Sequence, residues 1–191
     1  MSPSIQLLKD RYLKNIKENP ELYIGIELEF PIVHTKGQPT DIEVSKDLMR
    51  FLIDTLNLEV EKEDQDGNPI QLVEPMSQDR ILFEVSYTTL EFAFGRAQNI
   101  QEVEGRFQAY MKVIQEKLGE KNHAIQGWGI HPNWNQNDNR PVAYPRYQML
   151  MDYLSMGSHQ ESAHLHDFPQ YAAFICGSQV KLDVSNAVYY N

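Results

Sequence analysis

Four glutamates interrupt apolar, strand-like runs in this chain, and their types and spacing are the first features that bear on chemistry. Glu27 and Glu29 stand two apart in Gly25-Ile26-Glu27-Leu28-Glu29-Phe30. In an extended segment they share one face, while Ile24, Ile26, Leu28 and Phe30 share the other. Glu84 follows Ile81-Leu82-Phe83, and Glu91 lies between Leu90 and Phe92. A carboxylate taken out of water without a partner is costly, so four of them on a partly covered face call for a cation or for donors. Gathered together, Glu27, Glu29, Glu84 and Glu91 make a cup of hard oxygen ligands of the kind Mg2+ prefers, and Gln179 and Asp183, on the matching face of a later strand, could complete it. A metal held there would bridge phosphate oxygens and neutralise charge as a phosphoryl group moves. Alternation alone is more commonly met by a wet sheet face, with the glutamates solvated or paired with Arg80, Lys62 or Lys181.

Other reactive side chains give weaker patterns. His131 closes Gly127-Trp128-Gly129-Ile130-His131 at a strand end, where a loop-fixing role competes with ligand contact. His159, His164 and His166 match metal-ligand spacing only loosely. Cys176, in an apolar run, reads as a small buried residue rather than a nucleophile. No G-x-x-x-x-G-K-[ST] or G-x-G-x-x-G occurs, so a nucleotide would need another cradle.

The elements that must position these residues follow from periodicity. Apolar residues Ile5, Leu8, Tyr12 and Ile16 predict an amphipathic helix over 4–17, and a strand follows over 23–33. A helix is expected over 45–56 with Ser45 as its cap, then a hairpin joining 58–63 to 70–74 through Asp66-Gly67-Asn68-Pro69. Two further short strands carry Glu84 and Glu91, and a long helix over 100–118 is expected to stop at Gly119. A strand over 124–130, a loop over 131–145, a short helix over 146–153 and a strand over 174–184 complete the chain. Helices and strands mix without regular βαβ alternation, which predicts an α+β fold, a mainly antiparallel sheet with flanking helices, as a single domain over 1–191.

Composition narrows the function classes. With 17 basic and 27 acidic residues, a net charge of -10 and no basic block, the chain offers no evident nucleic-acid surface. One cysteine excludes an internal disulfide and suits a reducing cytoplasm. The N-terminal residues lack the pattern of a signal peptide, and no run approaches the ~18 apolar residues of a membrane span. The expectation is a cytoplasmic protein with neither nucleic-acid nor membrane partners.

Several strings, in order, resemble one family. Ile24-Gly25-Ile26-Glu27-Leu28-Glu29-Phe30 resembles the G-x-E-x-E strand that opens the catalytic sheet of glutamate–cysteine ligases and related carboxylate–amine ligases. Residues 84–91, E-V-S-Y-T-T-L-E, resemble the family's next acidic segment, and Gln179-Val180-Lys181-Leu182-Asp183 resembles a strand written Q-V-N-L-D in members. Gly127 to Pro132 and the Pro145-Arg146-Tyr147 region are similar to two further family segments. The resemblance implies a glutamine-synthetase-like catalytic fold, incomplete at the C-terminus because members continue for a comparable length. It also implies ATP and Mg2+ as cofactors, and glutamate, cysteine and ATP as substrates. The activity would be formation of γ-glutamylcysteine, the first step of glutathione synthesis, through an acyl phosphate. Carried over, Glu27, Glu84, Glu91 and Gln179 match metal positions, Gln179 and Asp183 cofactor positions, and Glu29 the second acid of the opening strand, a catalytic candidate with Lys181. Lys181 departs from the pattern, and its ammonium would repel a metal and pair instead with Glu29 or a phosphate. A ligase with another amine acceptor, or a non-catalytic relative that keeps the fold, stays open beside this reading. A free sheet edge would allow a homo-oligomer.

Overall fold

A computed structural model of the chain describes residues 2–13, 19–156 and 168–183. In chain order the elements are α1 (Pro3–Leu13), β1 (Ile24–His34), α2 (Ile42–Leu56), β2 (Glu59–Glu63), β3 (Pro69–Val73), β4 (Arg80–Phe83), β5 (Thr89–Ala93), α3 (Ile100–Gly119), β6 (His123–Ile125), α4 (Pro145–Met156) and β7 (Ser178–Leu182). A short 3-10 helix, Pro169–Ala173, precedes β7. The fold is α+β, as expected, and among the described residues seven strands form one open sheet with every pairing antiparallel.

The long strand β1 organises the sheet. One edge pairs with β5, beyond which lie β4, β3 and β2. The other edge is divided: residues 24–28 pair with β7, and residues 32–34 pair with β6. This division explains why β6 ends at Ile125 rather than running to residue 130 as its apolar pattern predicts. A strand lasts only as long as its ladder partner, and β7 takes residues 24–28 of that edge; Ile130 instead makes an isolated bridge to Ile175, outside the named strands.

Local chemistry sets the connections. The β2–β3 turn is built on Asp64, whose carboxylate accepts from the backbone N–H of Asp66 at 2.9 Å and of Asn68 at 2.8 Å, while Gly67 takes the left-handed φ of 78° that the turn requires. Helix α2 starts three residues before the expected Ser45. Asp41 caps it by accepting from the Glu43 N–H at 3.0 Å, because Thr40 is already tied to β1 through its hydroxyl, 2.5 Å from the Ile32 carbonyl. Ser45 is instead buried inside the helix. Asn99 caps α3, accepting from the Glu102 N–H at 3.0 Å while the Glu102 carboxylate reaches back to the Gln98 N–H at 3.0 Å. Gly119 is the last residue of that helix, and Glu120 caps it.

The sheet has two unlike faces. Phe30, Phe92 and Phe94 project from one of them onto Phe107 of α3, with ring centroids 5.6, 5.5 and 6.2 Å away. Leu48, Met49 and Leu52 of α2 join the same core with Leu72, Ile81 and Phe83. The opposite face is polar, and α4 stands at its rim. Helix α1 forms where expected, yet Ile5, Leu8 and Tyr12 remain 48%, 54% and 70% exposed, so its apolar side is not packed; Ile16 lies outside the described residues. Among the described residues no helix is long and apolar enough to cross a membrane.

Candidate functional site

The strand register brings the sequence-predicted acids onto the polar face. Glu29 of β1 sits directly opposite Glu91 of β5, and Glu91 opposite Leu82 of β4. Glu27 faces Ala93 on one side and Gln179 of β7 on the other. Residues directly opposite in an antiparallel pair point to the same face, so these side chains share one surface. Glu84 lies just past β4, where its N–H donates to the Thr89 carbonyl at 3.1 Å and the next residue, Val85, takes a left-handed φ of 61° to begin the turn into β5. All four glutamates, with Gln179 and Lys181, line one open cavity of about 430 Å³.

The electrostatics of the cavity are those of crowded like charges. Glu91 is 8% exposed, and its pKa is pushed up to about 8, first by burial, then by the charge of Glu84 and a hydrogen bond with it, and then by Glu27 and Glu29. Glu29 is also raised, chiefly by burial, although the Gly177 N–H donating to it at 2.7 Å offsets part of this; the charges of Glu84 and Glu27 add to the rise. The Tyr147 hydroxyl lies 3.1 Å from the Glu84 carboxylate and 3.0 Å from the Phe83 carbonyl, and burial raises its pKa.

The wet-face alternative has these acids solvated or paired with Arg80, Lys62 or Lys181, and among the described residues one of the four has such a cation. Lys181 forms an ion pair with Glu27, where the sequence pointed to Glu29 or a phosphate, or to a strand glutamate on a wet face. Lys62 instead donates to Gln71 at 2.7 Å, and Arg80 grips Glu61 through two bonds of 2.7 and 2.9 Å. The carboxylates nonetheless are not drawn into a finished coordination shell. Among the described residues no three His, Cys, Asp or Glu side chains converge as a ready-made metal site. Lys181 on Glu27 and the Gly177 N–H on Glu29 hold two of the acids in other contacts.

Asp183 does not join the cup. Its side chain accepts from the Glu21 N–H at 3.2 Å, and it lines a neighbouring cavity of about 790 Å³ together with Tyr23, Phe94 and Arg96. Alternation places it on the same strand face as Gln179 and Lys181, but β7 as a ladder strand ends at Leu182, beside the start of β1. Arg80 and Lys181 line both cavities and form the border between them. Arg146 and Tyr147, which no spacing argument singled out for chemistry, also line the acidic cavity. Their signal was the Pro145-Arg146-Tyr147 string itself, with Pro145 as the first residue of α4.

The remaining candidates have structural surroundings. His131 is fully buried; its Nδ1 accepts from the Asn133 N–H at 3.1 Å, so Nε2 carries the proton and donates to the Ile32 carbonyl at 2.9 Å. It staples the 131–139 loop to β1. The Cys176 thiol is pushed up to about 12, mainly by burial and then by the Glu29 charge, which leaves it a protonated, unreactive group at neutral pH. His159, His164 and His166 lie outside the described residues.

The chain is thus an α+β domain with an antiparallel sheet, one face closed by helices and the other lined by four glutamates beside a second cavity. The particular family is given by the sequence pattern of glutamate–cysteine ligase family 2, which matches residues 23–187; the chain belongs to that family. The matched span contains all four glutamates and the whole of β7. Comparison with individual curated proteins gives no match.

Proposed function

We propose that the polar face of this chain is the metal- and nucleotide-binding side of an ATP-dependent ligase that joins the γ-carboxylate of glutamate to the amine of cysteine. The observation that carries this reading is Glu91: a nearly buried carboxylate, opposite Glu29 and against Glu84, pushed up to about 8 with no cation paired to any of the three among the described residues. Such crowding is unfavourable for the fold by itself and is relieved by a positive ligand. The donor set, carboxylate and amide oxygens without thiolate or imidazole, fits Mg2+. Glu27, Glu84, Glu91 and Gln179 would hold it, and when bound it would neutralise charge on the phosphate oxygens of ATP.

In the reaction a γ-carboxylate oxygen of glutamate attacks the terminal phosphorus of ATP, and ADP leaves, giving an acyl phosphate. The cysteine nitrogen then attacks the acyl carbon, the carbon–oxygen bond to phosphate breaks, and the nitrogen loses a proton. Glu29 is the acceptor we assign to that proton, because it lines the same cavity as Glu84 and Glu91 and burial raises its pKa. Lys181, on the border of the two cavities, is within the region where phosphate charge would develop. The larger cavity, with Tyr23, Arg96 and Asp183, provides the space for the rest of the nucleotide. A cytoplasmic setting goes with this reading, since ATP and a free thiol substrate occur together in a reducing compartment.

The test is ADP release by the chain with glutamate, cysteine, ATP and Mg2+, with γ-glutamylcysteine identified by mass spectrometry. Product formation that falls about a hundredfold or more in Glu91→Gln supports the reading. Faster turnover with another amine would keep the ligase class and replace cysteine, and no ADP release with any amine would favour a non-catalytic role.

A further inference from the structure

We propose that His123 and His131 form an acid-sensitive latch: while neutral they fasten the start of α2 and the 131–139 loop to the sheet, and a second proton on either ring releases its fastening. Both side chains are buried, 3% and 0% exposed, and each uses both ring nitrogens on backbone groups. His123 Nδ1 donates to the Lys121 carbonyl at 2.7 Å, and Nε2 accepts from the N–H of Asp41, the cap of α2, at 3.1 Å. His131 takes the opposite tautomer, accepting from the Asn133 N–H at Nδ1 and donating to the Ile32 carbonyl from Nε2. A neutral imidazole has one donor and one acceptor nitrogen, whereas the protonated ring has two donors. A second proton on His123 therefore sets an N–H against the Asp41 N–H, and one on His131 sets an N–H against that of Asn133.

The two fastenings meet on one strap, the segment that joins β1 to α2. Asp41 hangs on His123, the Thr40 N–H donates to the Asn137 side chain at 2.9 Å, and the Asn133 side-chain amide donates to the Gln38 carbonyl at 3.0 Å. Asn133 and Asn137 belong to the loop that His131 holds. The titratable groups facing His123 are His34 of β1, edge-on with ring centroids 4.8 Å apart, and Asp41; α3 packs on β6 through Gln115, which carries no charge. The described partners of His131, namely Ile32, Thr40, Asn133 and Asn137, carry none either. Burial lowers the pKa of both rings, opposed in part by the carbonyl to which each donates; at His123 the charge of His34 lowers it further and that of Asp41 raises it. The folded values lie below the ~6.5 of the unfolded chain, so the latch contributes fully above that pH and weakens as pH falls below it. The loop leads into α4, whose Arg146 and Tyr147 line the acidic cavity, so the latch bears on that wall whatever the cavity binds.

Hydrogen exchange of the full chain tests the latch, followed amide by amide by NMR and expressed as protection factors from about pH 7.5 to about pH 5. The Val44 N–H, bonded to the Asp41 carbonyl, and the Trp134 N–H, bonded to the His131 carbonyl, report the two fastenings, and the amides of β4 report the sheet. The expected result is a loss of protection at Val44 and Trp134 of up to about tenfold per pH unit below ~6.5, which β4 does not follow. In His123→Gln, whose side-chain carbonyl accepts without titrating, the loss disappears at Val44 and persists at Trp134; His131→Asn gives the reverse. Protection unchanged at both reporters, β4 falling in step with them, or a loss that both variants retain overturns the inference. Titration of the two rings in the unaltered chain decides it however the variants fold. Each ring should stay neutral for as long as its reporter is protected, and a ring that takes its second proton while its reporter remains protected overturns the latch.

Discussion

Asp79 and Glu91 are both nearly buried acids at the strands of one sheet, 2% and 8% exposed, and the protein treats them in opposite ways. Asp79 receives the Arg106 guanidinium at 2.6 Å, the Tyr110 hydroxyl at 3.0 Å and the Gly95 N–H at 2.8 Å. Three donors, one of them cationic, make it a fastening between α3 and the ends of β4 and β5. Among the described residues Glu91 receives no cation and instead faces Glu84 and Glu29, with its pKa pushed up to about 8. A carboxylate satisfied from within holds the fold together; one left crowded against its like is the one we propose receives a ligand.

The largest expected effect falls on the satisfied acid. Asp79→Ala leaves a partly buried guanidinium and a buried tyrosine hydroxyl without their acceptor, and urea unfolding should show a loss of about 3 kcal/mol. Next comes the neighbouring backbone donor. A Cβ at Gly95 would lie 1.8 Å from the Ser77 carbonyl oxygen, so Gly95→Ala forces the β5 end away from that corner and should cost about 2 kcal/mol by the same measurement.

The crowded acid should behave in the opposite sense. Glu91 holds a proton in the metal-free fold up to about pH 8, whereas the unfolded chain releases it near ~4.3. The folded value is the higher one, so its contribution favours folding at low pH and is lost as pH rises from about 4.3 through about 8. Glu91→Gln removes this dependence. At pH 8 without metal it should raise stability by about 1–2 kcal/mol, and the gap from the unaltered chain should narrow toward pH 5. A substitution that stabilises the empty fold and removes ligand binding would separate the two acids more sharply than either effect alone.

How much of this was legible beforehand depended on whether the information was local. The β2–β3 hairpin was readable because Asp64, Gly67 and Asn68 build the turn among themselves. Strand β1 and the shared face of Glu27 and Glu29 followed from alternation, within one residue at each end. Helix α2 was mis-started because its true cap, Asp41, is held in place by distant groups: its N–H donates to His123 Nε2 at 3.1 Å, and Thr40 beside it is bound to Ile32. The length of β6 depended on how β7 divides the edge of β1, which no window of sequence contains. At the site, the four acids were found by their intrusion into apolar strands. The pairing of Lys181 with Glu27 rather than Glu29, and the departure of Asp183 to the adjoining cavity, required the cross-strand register.

The central claim is that the crowded carboxylates form a cation-dependent nucleotide site, and calorimetric titration of ATP into the chain tests it most directly, with Mg2+ and with chelator, in the unaltered protein and in Glu91→Gln. The account predicts binding that requires Mg2+ and disappears in Glu91→Gln although that variant is folded. ATP binding that persists in chelator, or that Glu91→Gln leaves unchanged, would contradict it.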